Sequence, residues 1–156
     1  MKKNYKYLLC FLFVLFVLCP SYLIAKTENT KSTVNTLGIS ENQKPKKVYI
    51  GKAMWYGQAF HGKKMANGEK FDMYNENITA HRRYKFGTIL KVTNLENGKY
   101  IYVTVKDRGP FSYKNVVNSL GETYKKYDAE LDLSYAGAKA IGIDKAGIGN
   151  VKIEVY

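Results

Sequence analysis

The sequence is poor in the residues on which many enzymes depend. It has 156 residues but only two cysteines, Cys10 and Cys19, and two histidines, His61 and His81. Both cysteines lie in an apolar run near the start, so the rest of the chain offers no disulfide and no cysteine metal site. The sequence also lacks an HExxH motif, a Gly-x-Ser-x-Gly elbow and a phosphate loop. We therefore expect no metal and no cofactor, and we expect the chemistry to come from carboxylates and histidine.

The start of the chain is typical of a secretory signal peptide. Three lysines precede an apolar run over residues 8–19, and the small residue Ala25 follows that run. The run is shorter than the about 20 apolar residues that a membrane-spanning helix needs. We therefore predict that residues 1–25 are a signal peptide and that the protein is exported to the periplasm or cell envelope.

Two other interpretations of this leader stay open. In the first, the apolar run is an uncleaved membrane anchor. In the second, Cys19 is the acylated residue of an outer-membrane lipoprotein. Leu18 stands before Cys19, where a lipoprotein signal has a small residue. Lipidation at Cys19 is the one route by which we expect the mature protein to meet a membrane.

The chain is strongly basic, with a formal net charge of +12. Without the three lysines of the leader the charge is +9, which favours anionic partners such as wall polymers. A solvated lysine-rich surface with no specific role is the alternative. Nucleic acid is not an expected partner, because we predict export. Residues 26–46 are polar and have no hydrophobic period, which predicts a flexible linker before one domain over residues 47–156.

The domain has the pattern of a compact, mainly β structure. Val48–Tyr56 predicts a first strand, and Val151–Tyr156, which alternates apolar and charged residues, predicts the last. Strands over 88–93 and 99–106 flank Asn97-Gly98, a pair that accepts the positive φ angles of a tight hairpin turn. Short strands separated by many turns favour a β-barrel.

A short helix is predicted to begin after Ser134 as its N-cap and to stop at Gly142. Before it, the strand over 99–106 leads to a candidate acid. Val103 and Val105 share one face of that strand, and Asp107 continues the face by alternation. We expect Asp107 at the rim of the core, where removal from water would raise its pKa.

The order of the motifs resembles that of a known bacterial cell-wall family. Gly51–Phe111 contains, in sequence, WYG, FHG, ANGE, AH, FGT, VTN, NG and DRGPF, and LDLS with an alanine-rich helix follows over Leu131–Ala140. Together these pieces are similar to the rare lipoprotein A family. The resemblance implies a six-stranded double-psi β-barrel with one or two short helices. It also implies an endolytic lytic transglycosylase that acts on peptidoglycan glycan strands and favours strands without stem peptides.

The same resemblance implies roles for individual residues. It makes Asp107 of DRGPF, His81 of TAH and Glu69 of ANGE catalytic, and it places Asp132 of LDLS in the cleft. A glycosidic bond needs an acid to protonate the leaving oxygen, which suits Asp107. Aromatic rings stack on sugars, and the candidates for that role are Trp55, Tyr56 and Phe60.

Each of these residues also has a structural interpretation. In this interpretation, Asp107 forms an ion pair with an arginine, and His81 is a structural histidine whose hydrogen bonds are made within the protein. Glu69 is then exposed to solvent in its turn. Asp132 caps the helix beside Ser134. Trp55 belongs to the core.

The segment over residues 112–130 is longer than the family usually has. It forms either one wall of the cleft or a plain surface loop. As a whole, the chain has two candidate functions, a wall-cleaving enzyme and a non-catalytic, expansin-like glycan-binding protein that loosens the wall. The set of carboxylates and His81 favours the enzyme, and we expect a monomer.

Overall fold

The structure, a computed structural model, describes residues 38–40 and 42–156. The signal peptide predicted at 1–25, Cys19 and most of the predicted linker over 26–46 lie outside the described residues. Within the described part of the chain, no helix is long and apolar enough to cross a membrane.

The unit Asn42–Tyr156 contains eight strands and one α-helix. The strands are β1 Lys47–Tyr56, β2 Ile78–His81, β3 Ile89–Asn94, β4 Tyr100–Asp107, β5 Tyr113–Val117, β6 Thr123–Tyr127, β7 Leu131–Ser134 and β8 Ile148–Val155, and the helix is α1 Tyr135–Ile141. The first, hairpin and last strands predicted from the sequence are all present. A single 3-10 turn at Gln58–Phe60 is the second short helix.

Six of the strands close into a barrel in the order β1-β7-β2-β4-β3-β8. The pairs β1–β7 and β2–β4 are parallel, and the other neighbours are antiparallel. This is the six-stranded double-psi β-barrel that the resemblance implies, so the predicted fold class is confirmed. Strands β5 and β6 stand apart as a two-stranded sheet.

The barrel interior is a dry core of branched aliphatic side chains. Alternate residues of each strand point inward, as in the exposed-then-buried pattern of β4. The fully buried members include Leu90, Val103, Leu131, Leu133 and Ile153. Each such side chain stabilises the fold by roughly 1.5–3 kcal/mol, so these inward positions determine the strand register.

The β3–β4 hairpin is confirmed, but its turn is longer than the predicted tight pair. The N–H of Gly98 donates to the carbonyl of Asn94, and Gly98 has φ +70°, while no non-glycine residue in the described chain has positive φ. The loop therefore spans residues 95–98. Asn97 is used differently, because its side-chain amide donates to the Ile141 carbonyl at 3.0 Å and its Oδ1 accepts from the N–H of Lys99.

The α1 helix begins and ends where the sequence predicts. Ser134 Oγ accepts the N–H of Gly137 at 3.0 Å, and Gly142 takes the left-handed conformation with φ +77°. Because Ser134 is the N-cap, the interpretation of Asp132 as a helix cap is wrong. Asp132 is therefore free for another role.

A second, smaller core lies against the barrel wall. Residues 57–77, here called the covering segment, contribute Met65, Phe71 and Met73, which pack with residues of β1 and β2 such as Tyr56 and Ala80. Within this segment, His61 Nδ1 accepts the N–H of Met73 at 3.3 Å, which fits a structural histidine. The covering segment thus turns one stretch of the wall from a solvent face into a half-buried surface.

The β5–β6 sheet should be separable from the fold. All residues of β6 are exposed, and Tyr113 pairs directly with Tyr127 at its base. Replacing residues 114–126 by Asn-Gly should leave the melting temperature within a few degrees of wild type, measured by circular dichroism. Leu131→Ala, which removes a fully buried side chain, should cost about 2–5 kcal/mol and lower it by about 10 °C or more. A loss of comparable size in the shortened protein would mean that the hairpin belongs to the core.

Candidate active site

Four strands carry one row of side chains across the outer face of the barrel wall. Met54 of β1 pairs with Asp132 of β7, Asp132 pairs with Ala80 of β2, and Ala80 pairs with Asp107 of β4. Residues paired across neighbouring strands point to the same side of a sheet. Ala80 belongs to the second core, so this side is the one under the covering segment. Normal strand spacing places the Cα atoms of the two aspartates about 10 Å apart.

The position of Asp107 depends on a β-bulge. Thr79 pairs with Val105, but the next residue, Ala80, pairs with Asp107, so Lys106 is an extra residue in β4. A shift of one residue reverses the face that a side chain occupies. The expectation that Asp107 continues the face of Val105 is therefore wrong. Asp107 is buried as predicted, but on the outer side of the wall.

Backbone amides hold the Asp107 carboxylate in place. Its Oδ1 accepts the N–H of Ala66 at 2.9 Å and the N–H of Arg108 at 2.8 Å. The Arg108 guanidinium donates instead to the backbone carbonyl of His81 at 2.8 Å. In the described chain Asp107 is thus fixed by amides of the covering segment and of its own strand end, rather than by an arginine ion pair.

Asp132 is the second carboxyl of the row and is only 4% exposed. Burial raises its pKa to about 7, while the Arg82 cation lowers it and the charge of Asp107 raises it. A carboxyl with this pKa is about half protonated at neutral pH. The wall therefore holds a proton where an acid would be needed.

The hydroxyl of Tyr56 lies near both carboxyls. Burial first, and then the charges of Asp107 and Asp132, raise the pKa of this phenol, so it stays neutral. Its oxygen is buried and makes no hydrogen bond of normal geometry with the described residues. The ring stacks on Phe71 at 4.2 Å between centroids. The buried ring has no open face for a sugar, and the part of Tyr56 that is turned toward the site is its hydroxyl.

His81 is a fixed, neutral hydrogen-bond donor. Its Nδ1 accepts the backbone N–H groups of Arg83 at 3.1 Å and Tyr84 at 3.0 Å, and its ring stacks on Tyr84 at 4.2 Å. Burial, followed by the cations Arg82, Arg83 and Arg108, lowers its pKa to about 4. With Nδ1 as an acceptor, the proton of the neutral ring is on Nε2. At neutral pH the Nε2 of His81 therefore carries the proton of a neutral ring, and His81 does not act as a cationic acid.

Glu69 contacts Lys106, the residue that precedes Asp107. Its carboxylate pairs with Lys106 Nζ at 2.8 Å, and the N–H of Asn67 donates to the Lys106 carbonyl. Lys106 is the extra residue of the bulge, so the turn that carries Glu69 is fastened to the feature that orients Asp107. The pair is partly exposed, so its direct contribution to stability is small, within about 1 kcal/mol.

An open cleft of about 510 Å³ runs along this side of the wall, within the range of small-molecule sites. Its lining comprises Met54, Trp55, Tyr56, Gly57, Gln58, Ala59, Phe60, Pro110, Phe111, Ser112 and Asp132. Trp55 meets Tyr135 edge-on at 5.3 Å and packs on the barrel core, so it is both a core residue and a lining residue. Its Nε1 is buried without a partner among the described residues.

Sequence reasoning missed a cationic and aromatic group at one end of the cleft. The Arg82 guanidinium lies 4.7 Å from the Phe111 ring and 4.0 Å from the Tyr127 ring. Arg82 also donates to the Ala129 carbonyl at 2.8 Å. The basic run at 82–83 was visible in the sequence, but its contact with a tyrosine 45 positions later was not, because it depends on how the hairpin folds back.

Comparison with known proteins identifies relatives along most of the barrel domain. The family profile described as "Lytic transglycolase" matches residues 48–153. A Synechocystis protein named "Probable endolytic peptidoglycan transglycosylase RlpA" is 43% identical over 110 residues, which cover 70% of this chain and 30% of the relative. A Vibrio cholerae protein named "Endolytic peptidoglycan transglycosylase RlpA" is 44% identical over 105 residues, covering 67% and 34% respectively. The chain thus spans about a third of the length of these relatives.

One solved structure supports the fold alone. The Streptomyces papain inhibitor superposes with a TM-score of 0.51 at 18% sequence identity, covering 71% of this chain and 96% of the inhibitor.

The proton affinity of Asp132 should make the free energy of unfolding depend on pH. Its folded pKa of about 7 is above that of an unfolded aspartate, so its stabilising effect is complete below about pH 4 and is lost as pH rises through 7. His81 acts in the opposite sense, stabilising above about pH 6.5 and losing that effect as pH falls through about 4.

The free energy of unfolding of wild type minus that of Asp132→Asn should therefore fall by a few kcal/mol from pH 4 to pH 8. Urea unfolding at each pH measures this difference. Asp72→Asn, at an exposed aspartate, controls for loss of one negative charge. A difference that does not change with pH would contradict the raised pKa of Asp132.

Proposed function

Because the chain belongs to the lytic transglycolase family, we propose that its barrel domain is an endolytic peptidoglycan lytic transglycosylase. It cleaves the MurNAc–GlcNAc glycan backbone and leaves 1,6-anhydro ends. The observation that carries the proposal is the row formed by Asp132, Ala80 and Asp107, which brings two carboxyls to one side of the wall, where Asp132 lines the cleft. The substrate class comes from the relatives, whose printed names are peptidoglycan transglycosylases.

The reaction needs one acid and no water. Asp107 gives a proton to the glycosidic oxygen as the bond from C1 of MurNAc to that oxygen breaks. The C6 hydroxyl of the same MurNAc then bonds to C1 and returns its proton to Asp107. One carboxyl serves both steps, because the nucleophile is already part of the substrate. Asp132, with a pKa of about 7, lines the cleft beside this cycle and is not the proton donor in it.

The remaining residues bind and position. His81 donates from Nε2 to a sugar oxygen, since its Nδ1 is occupied by two backbone amides. Glu69 positions Asp107 through Lys106 of the bulge. Trp55 and Phe60 offer ring surface to the sugar along the cleft.

The proposed substrate implies a cell-envelope location, reached by export. We propose that residues 1–25 are removed and that 26–46 tether or space the domain. Amino-terminal sequencing of the mature protein should then begin at Lys26. A mature chain that starts with an acylated Cys19 would instead make it a membrane-anchored lipoprotein.

Asp107→Asn should abolish cleavage and leave the fold intact. The expected loss is at least ~10²-fold, the usual contribution of a general acid, with an unchanged melting temperature. The assay is digestion of intact and peptide-stripped sacculi, with products identified by mass spectrometry as 1,6-anhydro ends. His81→Ala should also be severe. Asp132→Asn should be milder, because Asp132 is not the proton donor.

Three outcomes would contradict parts of this proposal. Ordinary reducing ends would mean hydrolysis, with Asp132 or Glu69 as the second carboxylate. A loss in Asp132→Asn as large as that in Asp107→Asn would make Asp132 the proton donor. Wild-type protein that binds sacculi and releases nothing would be a non-catalytic, expansin-like glycan binder.

A further inference from the structure

We propose that Arg82 and one face of the β5–β6 hairpin form an additional glycan subsite for sugars that carry a carboxylate. The proposal rests on the transglycosylase function for its substrate. A second cavity of about 360 Å³ lies here, lined by Arg82, Arg108, Phe111, Tyr113 and Tyr127. Phe111 also lines the cleft with Asp132. The two spaces therefore share Phe111 and are adjacent, which is the placement that an additional subsite of the same cleft requires.

The subsite alternates cations with aromatic rings. Arg82 lies between Phe111 and Tyr127, and Lys125 Nζ lies 4.3 Å above the Tyr113 ring. The rings of Tyr113 and Tyr127 are 5.7 Å apart. Aromatic faces pack on the apolar faces of sugars, while guanidinium and ammonium groups bind carboxylates. This combination fits an anionic polysaccharide better than a neutral one.

The two guanidinium groups have donors to offer. No ion-pair partner of Arg108 occurs within residues 38–40 and 42–156, and the Arg108 bonds there go through Nη1 to backbone carbonyls. Arg82 has Glu130 at 3.6 Å, a side chain that is 42% exposed. Because each guanidinium carries five N–H groups, both retain donors for a ligand carboxylate.

The hairpin has a built-in contrast between its two faces. By register, Tyr113, Tyr127 and Lys125 share the face that begins at Arg82, whereas Tyr124 and Lys126 point to the opposite face. Tyr113 is 46% exposed and Tyr124 is 50% exposed. Tyrosine and lysine thus occur on both faces in similar exposure, and only one face adjoins the cleft.

Peptidoglycan supplies the carboxylate in two ways. A muramyl sugar carries it on its lactyl group when the stem peptide is absent, and the stem peptide carries its own when present. A neutral chitin oligosaccharide has a similar backbone without either. The subsite is defined by the shared carboxylate chemistry, and the source is left to the experiment.

The test measures glycan binding to proteins that all carry Asp107→Asn, so that the substrate is not consumed during the measurement. Lys125→Glu should weaken binding of peptidoglycan glycan strands about tenfold and leave binding of chitin oligosaccharides unchanged. Tyr113→Ala should weaken both about fivefold, since stacking does not depend on charge. The matched controls Lys126→Glu and Tyr124→Ala should change neither. Melting temperatures confirm that the exposed substitutions leave the fold intact.

Peptide-stripped and peptide-bearing strands are tested separately. A Lys125→Glu effect confined to stripped strands assigns the lactyl carboxylate, and one confined to peptide-bearing strands assigns the stem peptide. The subsite would be overturned if substitutions on the two faces of the hairpin weakened glycan binding equally. It would also be overturned if Lys125→Glu weakened binding of chitin as much as binding of peptidoglycan strands. Wild-type protein that cleaves nothing would contradict the transglycosylase function, while the comparison of hairpin faces would still decide the subsite.

Discussion

The site depends on one extra residue in one strand. Without the bulge at Lys106, Asp107 would keep the alternation of β4 and point into the aliphatic interior with Val105. A carboxylate there would have no partner, and keeping it ionised would cost several kcal/mol, a large part of the stability of a domain of this size. With the bulge, the same strand gives its valines to the barrel core and its terminal aspartate to the outer row with Asp132.

The electrostatics of the row follow from how its members are covered. Asp107 receives two backbone N–H groups, whereas Asp132 is buried with a pKa of about 7. His81 is held neutral by burial and by the surrounding cations. The Tyr56 hydroxyl and the Trp55 Nε1 are buried without partners among the described residues, each at a cost of about 1–3 kcal/mol.

Local patterns predicted most of the fold and only part of the site. The β3–β4 hairpin and the helix capped by Ser134 depend on near neighbours in sequence, and both were found. The face of the strand on which Asp107 lies was predicted wrongly. The bulge that determines it arises where β4 pairs with β2, and the paired residues are more than twenty positions apart in sequence. The same holds for Arg82, whose place between Phe111 and Tyr127 depends on long-range folding.

The division between inside and outside explains how one barrel can change its ligand. The aliphatic interior residues hold the strand register and are constrained mainly by packing, and Trp55 is the residue that packs on this core and also lines the cleft. The covering segment, the row of carboxyls and the β5–β6 hairpin all lie on the outside, where length and charge can vary without opening a cavity in the core. A longer segment over 112–130 can therefore add rings and cations beside the cleft and leave the carboxyl pair in place. In the functions proposed above, the hairpin acts on which glycan binds, and the bulge orients the aspartate that reacts.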